Sequence, residues 1–177
     1  VSPFILRRTK KQVLKDLPDK VEKDMWLTLS PDEKQLYLAN LAQVNEQLQQ
    51  QLELEQVDSI LILAMMTRLR QICCEPRMLY ENYKGESTKF TMCLDLIETL
   101  KENGKKVLLF SSFTSIFDSF IEEFNKRGIQ YHMITGAVDK KKRKEEVDAF
   151  QSDDSDVFLI SLKAGGTGLN LTKAQAV

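Results

Sequence analysis

From about Thr88 onward the sequence alternates strand and helix signals with short links, and this rhythm constrains the fold more than any other feature. Lys89 to Lys101 has helical spacing and ends at Asn103-Gly104. Val107-Leu108-Leu109-Phe110 is a short apolar run that reads as a buried parallel strand ending in the polar pair Ser111-Ser112. Ile116 to Lys126 reads as the next helix, stopped by Arg127-Gly128, and Gln130 to Ile134 as the next strand. After the turn Thr135-Gly136, Asp139 is placed to cap a helix from Lys140 to Phe150. Asp156 to Ile160 is a third strand, running into Ser161-Leu162-Lys163-Ala164-Gly165-Gly166-Thr167-Gly168. Such a sequence predicts an α/β fold with a doubly wound parallel sheet. Ligands of these sheets bind at the carboxyl ends of the strands, where the loops after Phe110 and Ile160 fall.

The first half has a different character. Residues 1–30 begin with Arg7, Arg8, Lys10, Lys11 and Lys15 set among Phe4, Ile5, Leu6, Val13 and Leu14, and Leu17-Pro18-Asp19 reads as a break. Val21 to Leu29 alternates apolar and polar residues, which predicts a strand. Ser30-Pro31-Asp32-Glu33 predicts a helix start, with Ser30 as the cap and Glu33 placed for a capping box. That helix carries Leu41, Val44, Leu48 and Leu52 along one face. A second helix, Ser59 to Cys74, is expected to bury Ile60, Leu63, Met66, Leu69 and Cys73 and to stop at Pro76. Together the two predict a helical hairpin. Its Gln-rich polar face, Gln43 to Gln56, reads as a solvated face or a partner surface.

The formal net charge is -1, so nucleic-acid binding has to rest on a local patch. Cys73, Cys74 and Cys93 fit neither a disulfide framework nor a zinc spacing, and no metal site is expected. No apolar run approaches the roughly 18 residues of a membrane span. The start has no leader pattern and no Met, as expected of a piece of a longer protein.

Three glycines in four residues after Ala164 let the backbone approach a ligand closely, while Ser161 and Thr167 add hydroxyls and Lys163 a cation. This suits a phosphate, or serves as a structural turn. It is no Walker A loop, because Leu169-Asn170 follows the last glycine in place of Lys-Ser/Thr. Ser111, Ser112 and Thr114 stand ahead of a helix start and suit an anion, or helix capping by Thr114. Lys140-Lys141-Lys142-Arg143-Lys144 reads as a solvated face or an anion contact, and His132 lies in a strand without an evident catalytic role. Neither a P-loop nor an Asp-Glu pair at a strand end is present, so no catalytic residue is assigned.

In order, these motifs resemble the SWI/SNF-type family of superfamily-2 helicase-like DNA-dependent ATPases. Pro3 to Lys10 with Leu17-Pro18-Asp19-Lys20 resembles the segment between the two motor lobes. Leu69 to Pro76 is similar to the family's LRQICNHP signature, with Cys74 and Glu75 in place of Asn and His, and Ser87-Thr88-Lys89 stands where Ser-Gly-Lys is usual. Lys106 to Thr114 matches helicase motif IV, Thr135-Gly136, Arg143 and Phe150 the block after it, and Asp156 to Thr172 motif V.

The resemblance implies a partial RecA-like lobe 2 preceded by a helical hairpin: residues 1–30 connect the lobes, 31–87 form a protrusion, and 88–177 form lobe 2, truncated before motif VI. It implies a double-stranded-DNA translocase or remodeller, inside the cell, with ATP and Mg2+ bound mainly by lobe 1. The partners it implies are duplex DNA, lobe 1 of the same polypeptide and nucleoprotein. Gly165, Gly166, Gly168 and Asn170 would face the nucleotide cleft between lobes. Ser111, Ser112, Thr114, Arg143, Ser161, Lys163 and Thr167 would meet DNA. The chain alone is expected not to hydrolyse ATP. Two other readings compete: a non-enzymatic DNA- or protein-binding module whose hairpin is the working part, and a free-standing nucleotide-binding domain.

Overall fold

The computed structural model describes residues 21–54, 58–165 and 169–177. The basic start, the break at Leu17-Pro18-Asp19 and the trio Gly166, Thr167 and Gly168 lie outside them. Helices α1 (Pro31–Glu53) and α2 (Ser59–Cys74) form the expected hairpin. A 3-10 turn (Pro76–Met78) follows, then α3 (Thr88–Glu102), β1 (Lys106–Ser111), α4 (Ile116–Arg127), β2 (Tyr131–Ile134), α5 (Lys140–Ser152) and β3 (Val157–Ser161). The short turn α6 (Leu162–Gly165) and strand β4 (Ala174–Ala176) complete the order.

The strands form one parallel sheet in the order β2-β3-β1-β4. Alternate strand residues feed two cores. Val107, Val157 and Leu159 pack with Phe90, Leu94 and Ile97 of α3 and with Phe117, Phe120 and Phe124 of α4. Leu108, Phe158, Ile160 and Ile134 pack with Phe150 of α5 and Ala164 of α6. Every residue of β3 is buried, as a central strand covered on both faces requires. Gly128, at φ +61°, ends α4 in the left-handed conformation, as the Arg127-Gly128 pair predicts.

One carboxylate joins the hairpin to the sheet domain. Glu33 is fully buried. Its Oε2 accepts from Ser30 N at 2.8 Å, closing the capping box of α1. The same oxygen accepts from the Thr88 hydroxyl at 2.5 Å, and Oε1 accepts from Thr88 N at 3.1 Å. Ser87 occupies the cap position of α3 but makes no side-chain bond there. Glu33 therefore serves the amino termini of two helices, where the peptide dipoles favour a negative charge.

Two expectations fail. Val21 to Leu29 is not a strand: it pairs with no strand among the described residues, and Val21 and Trp26 are 90% and 92% exposed. Alternation favours a strand only where a sheet edge or a core takes one face. In α2 the buried residues are Met65 and Ile72, while Ile60, Leu63 and Met66 are exposed. The helix is apolar on nearly every face, so spacing alone left its rotation open. A polar network settles it: Arg68 Nε donates to Asn40 Oδ1 at 3.0 Å, and Tyr80 Oη donates to the same oxygen at 3.0 Å. On α1, Val44 is buried as expected, but Leu52 is exposed.

Glu75, at the position where the family signature has His, is buried and held by Arg77 through two bonds of 2.9 Å. Arg77 in turn lies 5.1 Å over the Phe90 ring. The substituted signature thus has its own local solution, tying the end of the hairpin to α3.

His132 links β2 to α5. Its Nδ1 lies 2.7 Å from Glu146 Oε2 and its Nε2 2.6 Å from Asp153 Oδ2. Burial pulls the imidazole pKa down, but the bonds to Asp153 and Glu146 outweigh it and raise the pKa above its ordinary 6.5. Burial likewise pushes Asp153 up, and the bonds from Ser155 and His132 reverse that and hold its carboxyl well below the usual carboxylate range. Lys106 Nζ donates to the Phe150 and Asp153 carbonyls at 2.7 and 2.6 Å, capping the same end of α5.

Two outcomes follow. Glu33→Ala strands the donors of two helix starts and should lower stability by about 2–4 kcal/mol, with Glu33→Gln costing less because it keeps one acceptor. Urea midpoints measure both. The raised pKa of His132 gives stability that is complete below 6.5 and lost as pH climbs through the raised value; the depressed pKa of Asp153 gives stability present above 3.8 and lost on acidification. Urea midpoints of the wild type should therefore fall as pH rises from 6.5 through the raised pKa of His132, and His132→Gln should remove that slope.

Candidate functional site

The register of the two central strands builds the site. β1 and β3 are parallel neighbours with Ser111 paired to Ser161, so the loops that follow them emerge side by side. The sequence achieves this with two apolar runs that need cover on both faces, each stopped by a serine.

The two serines are engaged locally. Ser111 Oγ accepts from Phe113 N and donates to the Phe113 carbonyl, both at 3.0 Å, which folds the loop into a tight polar turn. Ser161 is buried, and its Oγ accepts from Ala164 N at 3.2 Å, starting α6. The run after Ile160 is therefore a helical turn through Gly165 rather than a loop from its first residue. Ser112, Thr114, Lys163 and Asn170 are exposed around this edge. Thr114 does not cap α4: Ser115 holds that position and makes no side-chain bond, so the first N–H groups of α4 carry no side-chain cap.

Gly165 is needed for close approach. A Cβ there would lie 2.7 Å from Phe110 Cε1 and 2.8 Å from Ile160 Cγ2. The turn is thus pressed onto the ends of β1 and β3, the two strands whose loops form the site. Arg143 of α5 is half-buried; its Nη1 reaches the Ala164 carbonyl at 3.5 Å, while its Nε is buried with no hydrogen-bond partner among the described residues. Lys140, Arg143 and Lys144 line a groove of about 490 Å³ with Gln151 and Asn170. The Lys140–Lys144 run thus lies beside the segment leaving the glycine run.

Sequence reasoning missed the hairpin's share of this edge. Arg70 of α2 lies 5.4 Å over the Phe113 ring. A cleft of about 510 Å³ runs between α2, α3 and the end of β1, with Arg70, Lys89, Ser111, Ser112 and Leu162 among its walls. Cys73, Cys74 and Cys93 also face it. Burial raises all three thiols, Cys93 to about 11, so they stay protonated and unreactive near neutral pH. Arg70 sits in the recognised signature, but nothing in one sequence announces its contact with a loop more than forty residues away.

The described residues include no group of three His, Cys, Asp or Glu side chains able to hold a metal. What the edge offers is hydroxyls, amides and cations, the chemistry of phosphate contact.

Gly165→Ala should cost about 1–3 kcal/mol, because Phe110 and Ile160 have to shift. Gly136→Ala is the control, since no atom lies within 4 Å of its added Cβ and it should be close to neutral. Urea midpoints of the two variants make the comparison.

Residues 88–177 match the helicase conserved C-terminal domain, and residues 1–78 match the SNF2-related domain. An uncharacterized ATP-dependent helicase of Mycoplasma pneumoniae is 36% identical over 99% of this chain and 17% of its own length. The mouse SWI/SNF-related matrix-associated actin-dependent regulator of chromatin subfamily A member 1 is 32% identical over all of this chain and 18% of its own length. The solved SWI2/SNF2 ATPase core of Sulfolobus solfataricus in complex with double-stranded DNA superposes with a TM-score of 0.75 at 28% identity, covering 98% of this chain and 38% of that one. The chain thus spans less than a fifth of either of these two relatives. No helix among the described residues is long and apolar enough to cross a membrane. With its sheet order, its two ordered domain matches and this fold, the chain belongs to the SWI/SNF family of helicase-like ATPases.

Proposed function

We propose that this chain is the second motor lobe, with its helical protrusion, of an ATP-dependent double-stranded-DNA translocase or remodeller. Residues 1–30 connect the lobes, 31–87 are the protrusion and 88–177 are lobe 2. The observation that carries the reading is the pairing of Ser111 with Ser161, which sets two donor-rich loops side by side at the sheet's carboxyl edge.

In this reading Ser112, Thr114, Arg143, Lys163 and Thr167 contact DNA phosphates. Ser111 and Ser161, whose hydroxyls are engaged within their own turns, hold the loop backbones where phosphates can reach them. Gly165, Gly166, Gly168 and Asn170 form the lobe 2 wall of the nucleotide cleft. The sequence has no Walker A loop, so ATP and Mg2+ are held mainly by lobe 1 and this chain alone is inactive. ATP binding draws the lobes together, hydrolysis releases them, and each lobe's phosphate grip turns that cycle into movement along DNA. Grip through phosphates gives weak sequence preference and a steep salt dependence. Such a motor works inside the cell, on nucleoprotein or on DNA alone.

A second reading draws support from the exposed apolar residues Ile60, Leu63 and Met66: a binding module that works through its hairpin. ATP hydrolysis by the intact parent, with and without duplex DNA, separates the two. The motor reading expects strong stimulation by DNA in the parent and no hydrolysis by residues 1–177. A folded parent that does not hydrolyse ATP overturns it in favour of the module.

A further inference from the structure

Arg143, Val147 and Gln151 stand at four-residue steps on α5 and face the chain leaving β3. Gln151 uses both ends of its amide on one stretch of that chain. Its Nε2 donates to the Asn170 carbonyl at 3.0 Å and to Thr172 Oγ1 at 3.3 Å. Its Oε1 accepts from Lys173 N at 3.0 Å. Val147 packs with Leu169, Leu171 and Ala174 around the core between them. On the other flank of the glycine run, Arg143 reaches the Ala164 carbonyl.

The neighbouring face of α5 is fixed to the sheet. His132 bridges Glu146 and Asp153, and Lys106 holds the Phe150 and Asp153 carbonyls. The helix is therefore anchored on one face while the other grips the segment that carries Asn170. The Asn170 side chain is exposed and makes no hydrogen bond among the described residues; its placement is left to the backbone, and Gln151 holds that backbone.

We propose that Gln151 is a positioning residue that clamps residues 170–173 to α5 and so sets where Asn170 stands in the nucleotide cleft. The functional half rests on the assignment of Asn170 to that cleft. Gln151 touches no substrate in this scheme and acts through Asn170.

The test compares wild-type parent polypeptide with Gln151→Met and Gln151→Glu. Methionine keeps length and helix propensity but loses all three bonds, whereas glutamate keeps the acceptor for Lys173 N and loses the two donor bonds. Hydrogen exchange of peptides covering 169–177 should quicken by roughly tenfold in Gln151→Met, the factor set by one net hydrogen bond, and by less in Gln151→Glu, with exchange elsewhere unchanged. In DNA-stimulated hydrolysis, KM for ATP should rise several-fold in the same order, with half-saturating DNA concentration unchanged. A role confined to folding would lower the amount of active protein and leave KM alone. Unchanged exchange overturns the clamp. Faster exchange with unchanged KM overturns its role at the cleft. A wild-type parent that hydrolyses no ATP overturns the motor reading instead, and the exchange measurement still decides the clamp.

Discussion

The arrangement of this chain depends on the carboxylate of Glu33. A buried charge is costly unless its lone pairs are filled, and here Ser30 N, Thr88 N and the Thr88 hydroxyl fill them. Because the donors belong to the amino termini of α1 and α3, satisfying the charge fixes the hairpin against the sheet domain. The placement of α2 follows, since the Asn40–Arg68–Tyr80 network sets its rotation against α1. That in turn brings Arg70 over Phe113, beside the end of β1. One side chain, chosen by the sequence as part of a capping box, thus reaches through three contacts to the edge of the candidate site.

The same logic explains what was legible in the sequence. Local signals were readable because their partners are near in the chain. The box at Ser30 and Glu33, the cap at Asp139 and the stop at Gly128 stand where spacing placed them. The buried strands were readable because a run such as Val157 to Ile160 has no polar face to offer water. The rotation of α2 was not, because a helix apolar on most faces gives no preferred stripe and a distant Asn40 decides. The segment from Val21 to Leu29 misled for a related reason: its alternation is real, but the face it would bury has no core to meet.

At the site, residue types were legible and their bonding was not. Ser111, Ser161 and Gly165 were singled out as ligand contacts on the strength of their chemistry. The structure adds that both serine hydroxyls are committed within their own turns and that Gly165 is required by Phe110 and Ile160. These are facts about packing across β1 and β3, which a linear spacing does not contain. Gln151 went unnoticed because its three bonds reach 19 to 22 residues along the chain.

Charge bears on the same edge. With 25 basic and 26 acidic residues, the chain has no net field to draw DNA to it. Affinity for a polyanion then has to come from placement: Lys140, Arg143 and Lys144 on α5, Lys163 on α6, and Arg70 and Lys89 across the cleft. These groups sit around hydroxyls and backbone amides rather than in one dense patch. A surface so built makes few strong contacts by itself, which suits the proposed role of an element that releases DNA in each cycle as well as holding it. If the proposed motor reading holds, a small set of placed donors is enough for a reversible grip, and the bonds of His132 and Lys106 to α5 fix where Lys140, Arg143 and Lys144 stand around that edge.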